Sequence, residues 1–353
     1  MKVDNRWRRS IWRETDSGRI RAIDQTRLPH RFEIFEIETV GDAVRAIADM
    51  QVRGAPLIGA TAAYGLALAL ADDDGDARLA AATDRLLAAR PTAVNLRWAL
   101  ERMNDALRGM PAGERANRAL VEADRLCDED AAVNESIGDH GLALIRDRFE
   151  TTGDTVDILT HCNAGWLATV DWGTALAPVY KAHDAGIPVH VWVDETRPRN
   201  QGASLTMWEL MNHGVPCTLV VDNAGGHLMQ RGDVDLVIVG SDRTTANGDV
   251  CNKIGTYLKA LAAFDNNVPF HVALPCSTID WTMESGARVP IEERHEREVL
   301  EVIGTHGDRT ASVRVSVPGA RAANPAFDVT PARLVTGYVT ERGRFANIAN
   351  IRR

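Results

Sequence analysis

The chain has 353 residues, 45% of them hydrophobic and 25% charged, with a net charge of -9. It exceeds the size at which one hydrophobic core usually stops growing, so two domains are expected, and the excess of acid excludes the basic footprint of a nucleic-acid binder. The five cysteines, Cys127, Cys162, Cys217, Cys251 and Cys276, are scattered without CxxC spacing, which fits a reducing compartment better than a disulfide framework or a structural zinc site.

Met1 to Arg21 is charged and carries tryptophans, without the apolar stretch of a signal peptide, and no later segment approaches a membrane span. A cytoplasmic protein is expected. From about Ala43 to Arg148 apolar residues recur at three and four, with helical stretches over Gly41 to Val52, Pro56 to Ala71 and Ala77 to Ala89. Beyond about Asp154 the pattern changes to short branched runs, Val156 to His161, Val189 to Asp194, Cys217 to Asp222, Val234 to Gly240 and Phe270 to Leu274. Helix-like segments such as Leu205 to Asn212 and Tyr257 to Ala263 lie between them. Strands alternating with helices predict an α/β protein whose sheet is parallel. The expected division is a mainly helical N-terminal domain over 1–150 and a doubly wound, Rossmann-like catalytic domain over 151–353.

Two predicted strands stop abruptly at reactive groups: Val156 to Thr160 runs into His161-Cys162-Asn163-Ala164-Gly165, and Val234 to Val239 into Gly240-Ser241-Asp242-Arg243. In an open parallel sheet such ends face the ligand crevice. Removal from water raises the pKa of both a thiol and a carboxylate, so the pair suits proton-transfer chemistry. Each also has a plain structural role available: Cys162 as an inert core thiol, Asp242 as a cap on the next helix or a partner of Arg243. The stretch Asn247-Gly248-Asp249-Val250-Cys251-Asn252-Lys253-Ile254-Gly255-Thr256-Tyr257 has a composition suited to holding a phosphate or sugar hydroxyls. Arg53-Gly54-Ala55-Pro56 and Arg90-Pro91-Thr92-Ala93-Val94-Asn95 each put a guanidinium beside a predicted helix start. Asp194-Glu195-Thr196-Arg197-Pro198-Arg199 reads as a salt-bridge network internal to its loop, and the histidines are too dispersed for a zinc cluster, so no metal is expected.

These motifs, with Gln201-Gly202 and Asn324-Pro325-Ala326-Phe327-Asp328-Val329-Thr330-Pro331, occur in the order found in the methylthioribose-1-phosphate isomerase family, which the chain resembles from about Arg53 to Gly343. That family shares a superfamily with the regulatory subunits of the eukaryotic initiation-factor exchange complex and with ribose-1,5-bisphosphate isomerase. The resemblance implies isomerisation of 5-methylthio-α-D-ribose 1-phosphate to the ribulose 1-phosphate, a step of methionine salvage, with Asp242 as proton donor and Cys162 as transition-state stabiliser. It implies Arg53, Gly54, Ala55, Arg90, Gln201, Asn252 and Lys253 as the substrate-binding set, a phosphorylated pentose as the partner, no metal or organic cofactor, and a homodimer. Trp166 and Val170-Asp171-Trp172-Gly173 depart from the family's usual small residues, as do Ser241 and Thr244-Thr245 from its usual loop. These departures are either packing drift or a reshaped pocket for the 5-substituent, favouring 5-deoxyribose 1-phosphate or both substrates. A ribose-1,5-bisphosphate isomerase would need further cations, and a non-catalytic regulatory protein has no need of Cys162, Asp242 and Asn252-Lys253 together.

Overall fold

The computed structural model describes residues 1–3, 6–90, 93–307 and 309–352. The chain opens with a strand pair, β1 (Lys2–Val3) and β2 (Arg6–Trp7), and an antiparallel sheet of β3 (Ile11–Arg13), β4 (Ile20–Ile23) and β5 (Ile34–Ile37). Runs of two to four residues carry too little alternation to be read from sequence. Five helices follow: α1 (Val40–Ala48), α2 (Ala55–Ala69), α3 (Asp76–Ala89), α4 (Val94–Leu107) and α5 (Arg115–Thr152). A capping box starts α1, in which the Thr39 hydroxyl accepts from the Asp42 N–H and the Asp42 carboxylate accepts from the Thr39 N–H. Because α2 is apolar on every side, it becomes the central helix, packed by α1, α3, α4 and α5. Its N-terminus is therefore held in place from all directions. The early part of α5 joins this helical core through Ala119, Ala123, Leu126 and Cys127, whereas Ile137 and Ile145 pack on the sheet.

After Gly153, whose φ of 73° caps α5, strands and helices alternate: β6 (Val156–Thr160), α6 (Ala177–Asp184), β7 (Val189–Asp194), α7 (Met207–His213), β8 (Cys217–Val220), α8 (Ala224–Arg231) and β9 (Leu236–Val239). The chain then leaves the sheet through β10 (Arg243–Thr245) and β11 (Val250–Lys253) and returns by α9 (Thr256–Asp265) to β12 (Phe270–Ala273). A second excursion contains β13 (Ile279–Asp280), α10 (Arg297–Leu300), the hairpin β14 (Glu301–His306) and β15 (Arg309–Arg314), and β16 (Phe327–Thr330); β17 (Gly337–Thr340) and β18 (Gly343–Phe345) complete the sheet. Its order is β18-β17-β12-β9-β6-β7-β8, parallel throughout except for β18. This is the doubly wound arrangement: sequence order runs outward one way from β6 and the other way from β9, so the chain reverses direction between those two strands. A crevice opens beyond the carboxyl ends at such a point, and those ends carry Cys162 and Asp242. Above it, β13-β10-β11-β16 form a small second sheet.

Candidate active site

Cys162 follows β6 with φ 67°, in the left-handed region that a non-glycine residue adopts at a cost. Three side chains hold it there: its N–H donates to Thr196 Oγ1 at 2.8 Å, its carbonyl accepts from Thr206 Oγ1 at 2.7 Å, and its thiol donates to Gln201 Oε1 at 3.0 Å. Burial pushes this thiol up from its ordinary range and the Asp242 charge adds to the rise, while Arg53 and Lys253 oppose it. Burial likewise lowers Lys253, with Arg53 and Arg90 adding to the fall and Cys162 and Asp242 opposing it. Cys162, Asp242, Arg53, Lys253 and Arg90 thus act on one another's charge from a single cluster.

Arg53 is buried, donating from Nη1 to Asn163 Oδ1 at 2.5 Å and from Nη2 to the Asn163 carbonyl at 2.7 Å. Gly54, the N-cap of α2, has φ 93°, and a Cβ there would lie 2.3 Å from the Ala168 carbonyl oxygen. The predicted helix start is therefore real, and a glycine is required by both conformation and close approach. The first-turn N–H groups of α2 lack intrahelical acceptors and carry the positive end of the helix dipole. A small pocket is lined by Arg53, Gly54, Ala55, Cys162, Asp242 and Asn252. Arg90 lines the adjoining one with Asp242 and Ala55, and is paired with Glu292 at 3.1 Å. Gln201 and Arg53 also face a larger cleft of about 500 Å³ that contains Leu28, Met50 and Leu205.

All nine predicted site residues lie around this crevice, but several readings of their neighbours change. Asp242 is followed at once by β10 rather than by a helix, and the Arg243 guanidinium lies 3.5 Å from Asp280. The predicted loop from Asn247 is split, with Asn247 closing a turn through Thr245 and Asp249, while Cys251, Asn252 and Lys253, on β11, reach the site. Pro91 and Thr92 lie outside the described residues. The loop after β7 has no internal salt-bridge network: Arg199 pairs with Glu298, Arg197 donates to the Pro198 and Val299 carbonyls, and Asp194 lies against His161 and Lys259. Arginines two residues apart in a turning loop point to different neighbours.

Among the described residues, His161, Asp194 and Asp222 bring metal-ligating atoms within 4.8 Å of one another. The ammonium of Lys259, 3.2 Å from Asp194 Oδ2 and donating to the Asp222 carbonyl, already supplies a cation there. Trp166 and Trp172 do not line the catalytic pocket; Trp166 is buried against Trp208, and Lys181 lies over the Trp172 ring. The reading of the tryptophans as a reshaped 5-substituent pocket is therefore replaced by packing. Sequence reasoning also passed over Asn163, the immediate partner of Arg53, and Glu209, buried among four donors. The only trace of Glu209 in the sequence is a carboxylate in the mainly apolar run Met207-Trp208-Glu209-Leu210.

Residues 51–347 match the profile of the initiation factor 2 subunit family. The chain is 61% identical over 355 residues to methylthioribose-1-phosphate isomerase of Rhodospirillum rubrum, covering 97% of this chain and 90% of that protein. It is 62% identical over 349 residues to that of Gluconobacter oxydans, covering 98% and 95%. This chain belongs to the methylthioribose-1-phosphate isomerase family. Among solved structures, 5-methylthioribose 1-phosphate isomerase from Pyrococcus horikoshii superposes with a TM-score of 0.83 at 39% identity, over 96% of this chain and 92% of that one. A chain described as the delta subunit of translation initiation factor eIF-2B from A. fulgidus gives 0.79 at 40% identity, over 98% of each. The methylthioribose-1-phosphate isomerase family thus shares its fold with a protein named as a translation factor.

Proposed function

We propose that this protein isomerises 5-methylthio-α-D-ribose 1-phosphate to 5-methylthio-D-ribulose 1-phosphate in methionine salvage, with Asp242 and Cys162 as its catalytic residues. The observation that carries the reading is the meeting of those two groups at the switch point of the sheet, beside a cationic cluster and the N-terminus of α2. Arg53, Arg90, Lys253, Asn252 and the N–H groups after Gly54 suit a phosphate dianion. Gln201 orients the thiol and, with Ala55, borders the sugar.

The phosphate on C1 blocks the free aldehyde that ordinary aldose-ketose isomerisation uses. Asp242 protonates the ring oxygen, which breaks the bond from C1 to that oxygen and leaves positive charge on C1. Hydrogen then moves from C2 to C1. A buried thiol that donates to Gln201 Oε1 and whose pKa is raised is a poor base at neutral pH. This favours a hydride shift, with the electron pair travelling from C2 to C1 and the O2 proton departing as C2 becomes a carbonyl. That proton restores the acid used on the ring oxygen, so the cycle is proton-neutral. Cys162 then serves by supporting charge from its buried position beside the pocket. A homodimer in the cytoplasm belongs to the same proposal and rests on the family resemblance.

The test is turnover by the metal-free protein of 5-methylthioribose 1-phosphate, 5-deoxyribose 1-phosphate and ribose 1,5-bisphosphate, compared by kcat/KM. Preference for the first is expected, and Asp242→Asn should abolish it while leaving phosphate inhibition in place. Deuterium at C2 should be retained at C1 of the product. Its loss to water would replace the hydride shift by proton transfer, and no turnover of any substrate would return the chain to a regulatory role.

A further inference from the structure

Between β7 and α7 the backbone runs through one wide turn of π-helix, Gly202–Thr206, before the α-helix begins at Met207. Such a turn is costly and marks functional sites more often than chance allows. Here it aims Thr206 and Glu209, three residues apart, at the turn that follows β6. Thr206 Oγ1 donates to the Cys162 carbonyl at 2.7 Å and accepts from Asn163 Nδ2 at 3.2 Å. Glu209, 1% exposed, accepts four hydrogen bonds. Asn163 Nδ2 and the Leu167 N–H reach Oε1, each at 2.9 Å, while the Trp166 N–H at 3.0 Å and the Tyr180 hydroxyl at 2.7 Å reach Oε2.

We infer that Glu209 is the positioning residue of the anion site, holding both Arg53 and the N-terminus of α2 in register. The inference rests on the reading of that site as the one that takes the substrate phosphate. Two paths lead out from the single carboxylate. Along the first, Glu209 fixes the amide of Asn163 with its nitrogen inward, which turns Oδ1 outward to receive Arg53 Nη1 while the Asn163 carbonyl receives Nη2. A guanidinium gripped at two points cannot swing, so its remaining N–H groups are aimed before substrate arrives. Along the second path, Glu209 clamps the N–H groups of Trp166 and Leu167, and so fixes the turn ending at Ala168, against whose backbone Gly54 is packed. Gly54 is the first residue of the α2 terminus.

Two glycines preserve this contact. A Cβ on Gly165 would lie 1.8 Å from Glu209 Oε2, and one on Gly173 would lie 2.2 Å from the Gly165 carbonyl carbon. The carboxylate has thus taken the space that side chains would otherwise fill. Glu209 touches no reacting atom in this scheme; it acts through Asn163, Arg53 and Gly54. Its electrostatic role follows the same path, since Arg53 is among the charges that hold Glu209 down against a rise driven by its burial.

Three variants test the inference: Glu209→Gln, Asn163→Ala and Tyr180→Phe. Glu209→Gln keeps the shape but sets an NH2 group against a backbone N–H, and Asn163→Ala cuts only the path to Arg53. Tyr180→Phe removes one bond to Glu209 on neither path. The expected result is a rise in KM on the order of 10-fold or more for both Glu209→Gln and Asn163→Ala, with a parallel weakening of inhibition by inorganic phosphate and a smaller change in kcat. Tyr180→Phe should lower Tm and leave KM unchanged. The rises in KM should not add in the double variant, because Glu209→Gln already disturbs the path that Asn163→Ala cuts. A KM in Glu209→Gln equal to that of the parent, or a rise in Tyr180→Phe as large as in Glu209→Gln, would overturn the inference and return Glu209 to a general packing role. If Glu209→Gln does not fold, Asn163→Ala decides: an unchanged KM there sinks the path to Arg53. The substrate panel on the parent protein is a separate readout, so failure of the isomerase reading is distinguishable from failure of this one.

Discussion

Gly54→Ala isolates what the α2 terminus contributes. The new methyl would lie 2.3 Å from the Ala168 carbonyl oxygen, below the 3.0 Å that real Cβ contacts keep, so the two segments must separate by at least 0.7 Å. The φ of 93° adds conformational strain of roughly 1–2 kcal/mol. Arg53 precedes this residue and the free N–H groups of α2 follow it, so the separation displaces the two halves of the anion site relative to each other. A misplacement near 1 Å at a site that works by orientation costs about 100-fold. The expected result is a fall in kcat/KM of that order for 5-methylthioribose 1-phosphate, with Tm lowered by a few degrees. Gly109→Ala is the control, since its φ of 73° imposes strain but no atom lies within 4 Å. It should lose stability alone. A Gly54→Ala protein with the parent's kcat/KM would refute the reasoning, and an equal loss of activity in Gly109→Ala would refer the effect to stability.

Because Cys162 is held above the ordinary thiol range, its inactivation by iodoacetamide should still be accelerating where an exposed cysteine has levelled off, and inorganic phosphate should slow it. A plateau near neutral pH would mean that Arg53 and Lys253 outweigh burial. Lys259→Met removes an ammonium 3.2 Å from the buried Asp194, leaving that carboxylate with His161 alone. Loss of one partner of a buried pair costs about 3–5 kcal/mol, read by urea denaturation; a loss under about 1 kcal/mol would show that His161 suffices.

The primary structure by itself determined the alternation of strand and helix beyond Gly153, and with it the parallel sheet. Branched apolar runs that end at Cys162 and Asp242 need no partner to be seen, and the helical spacing over α1 to α3 is equally local. The ordered motifs also carried the family and the candidate residues. What local patterning lacked was every contact between distant segments. β17, the sixth parallel strand, is four residues long and comes after a long excursion, so nothing nearby announced its place beside β12. The left-handed backbone at Cys162 exists because Thr196, Thr206 and Gln201 arrive from beyond β7 to hold it. Trp166 could by sequence either pack or line a pocket, and it is Trp208, from a distant helix, that lies against it. Glu209 lies 46 residues from Asn163 and had no visible purpose until the chain closed around it. A side chain's type follows from its codon and its face from a short period, but its partner depends on which distant surfaces burial brings together, and only the tertiary structure decides that.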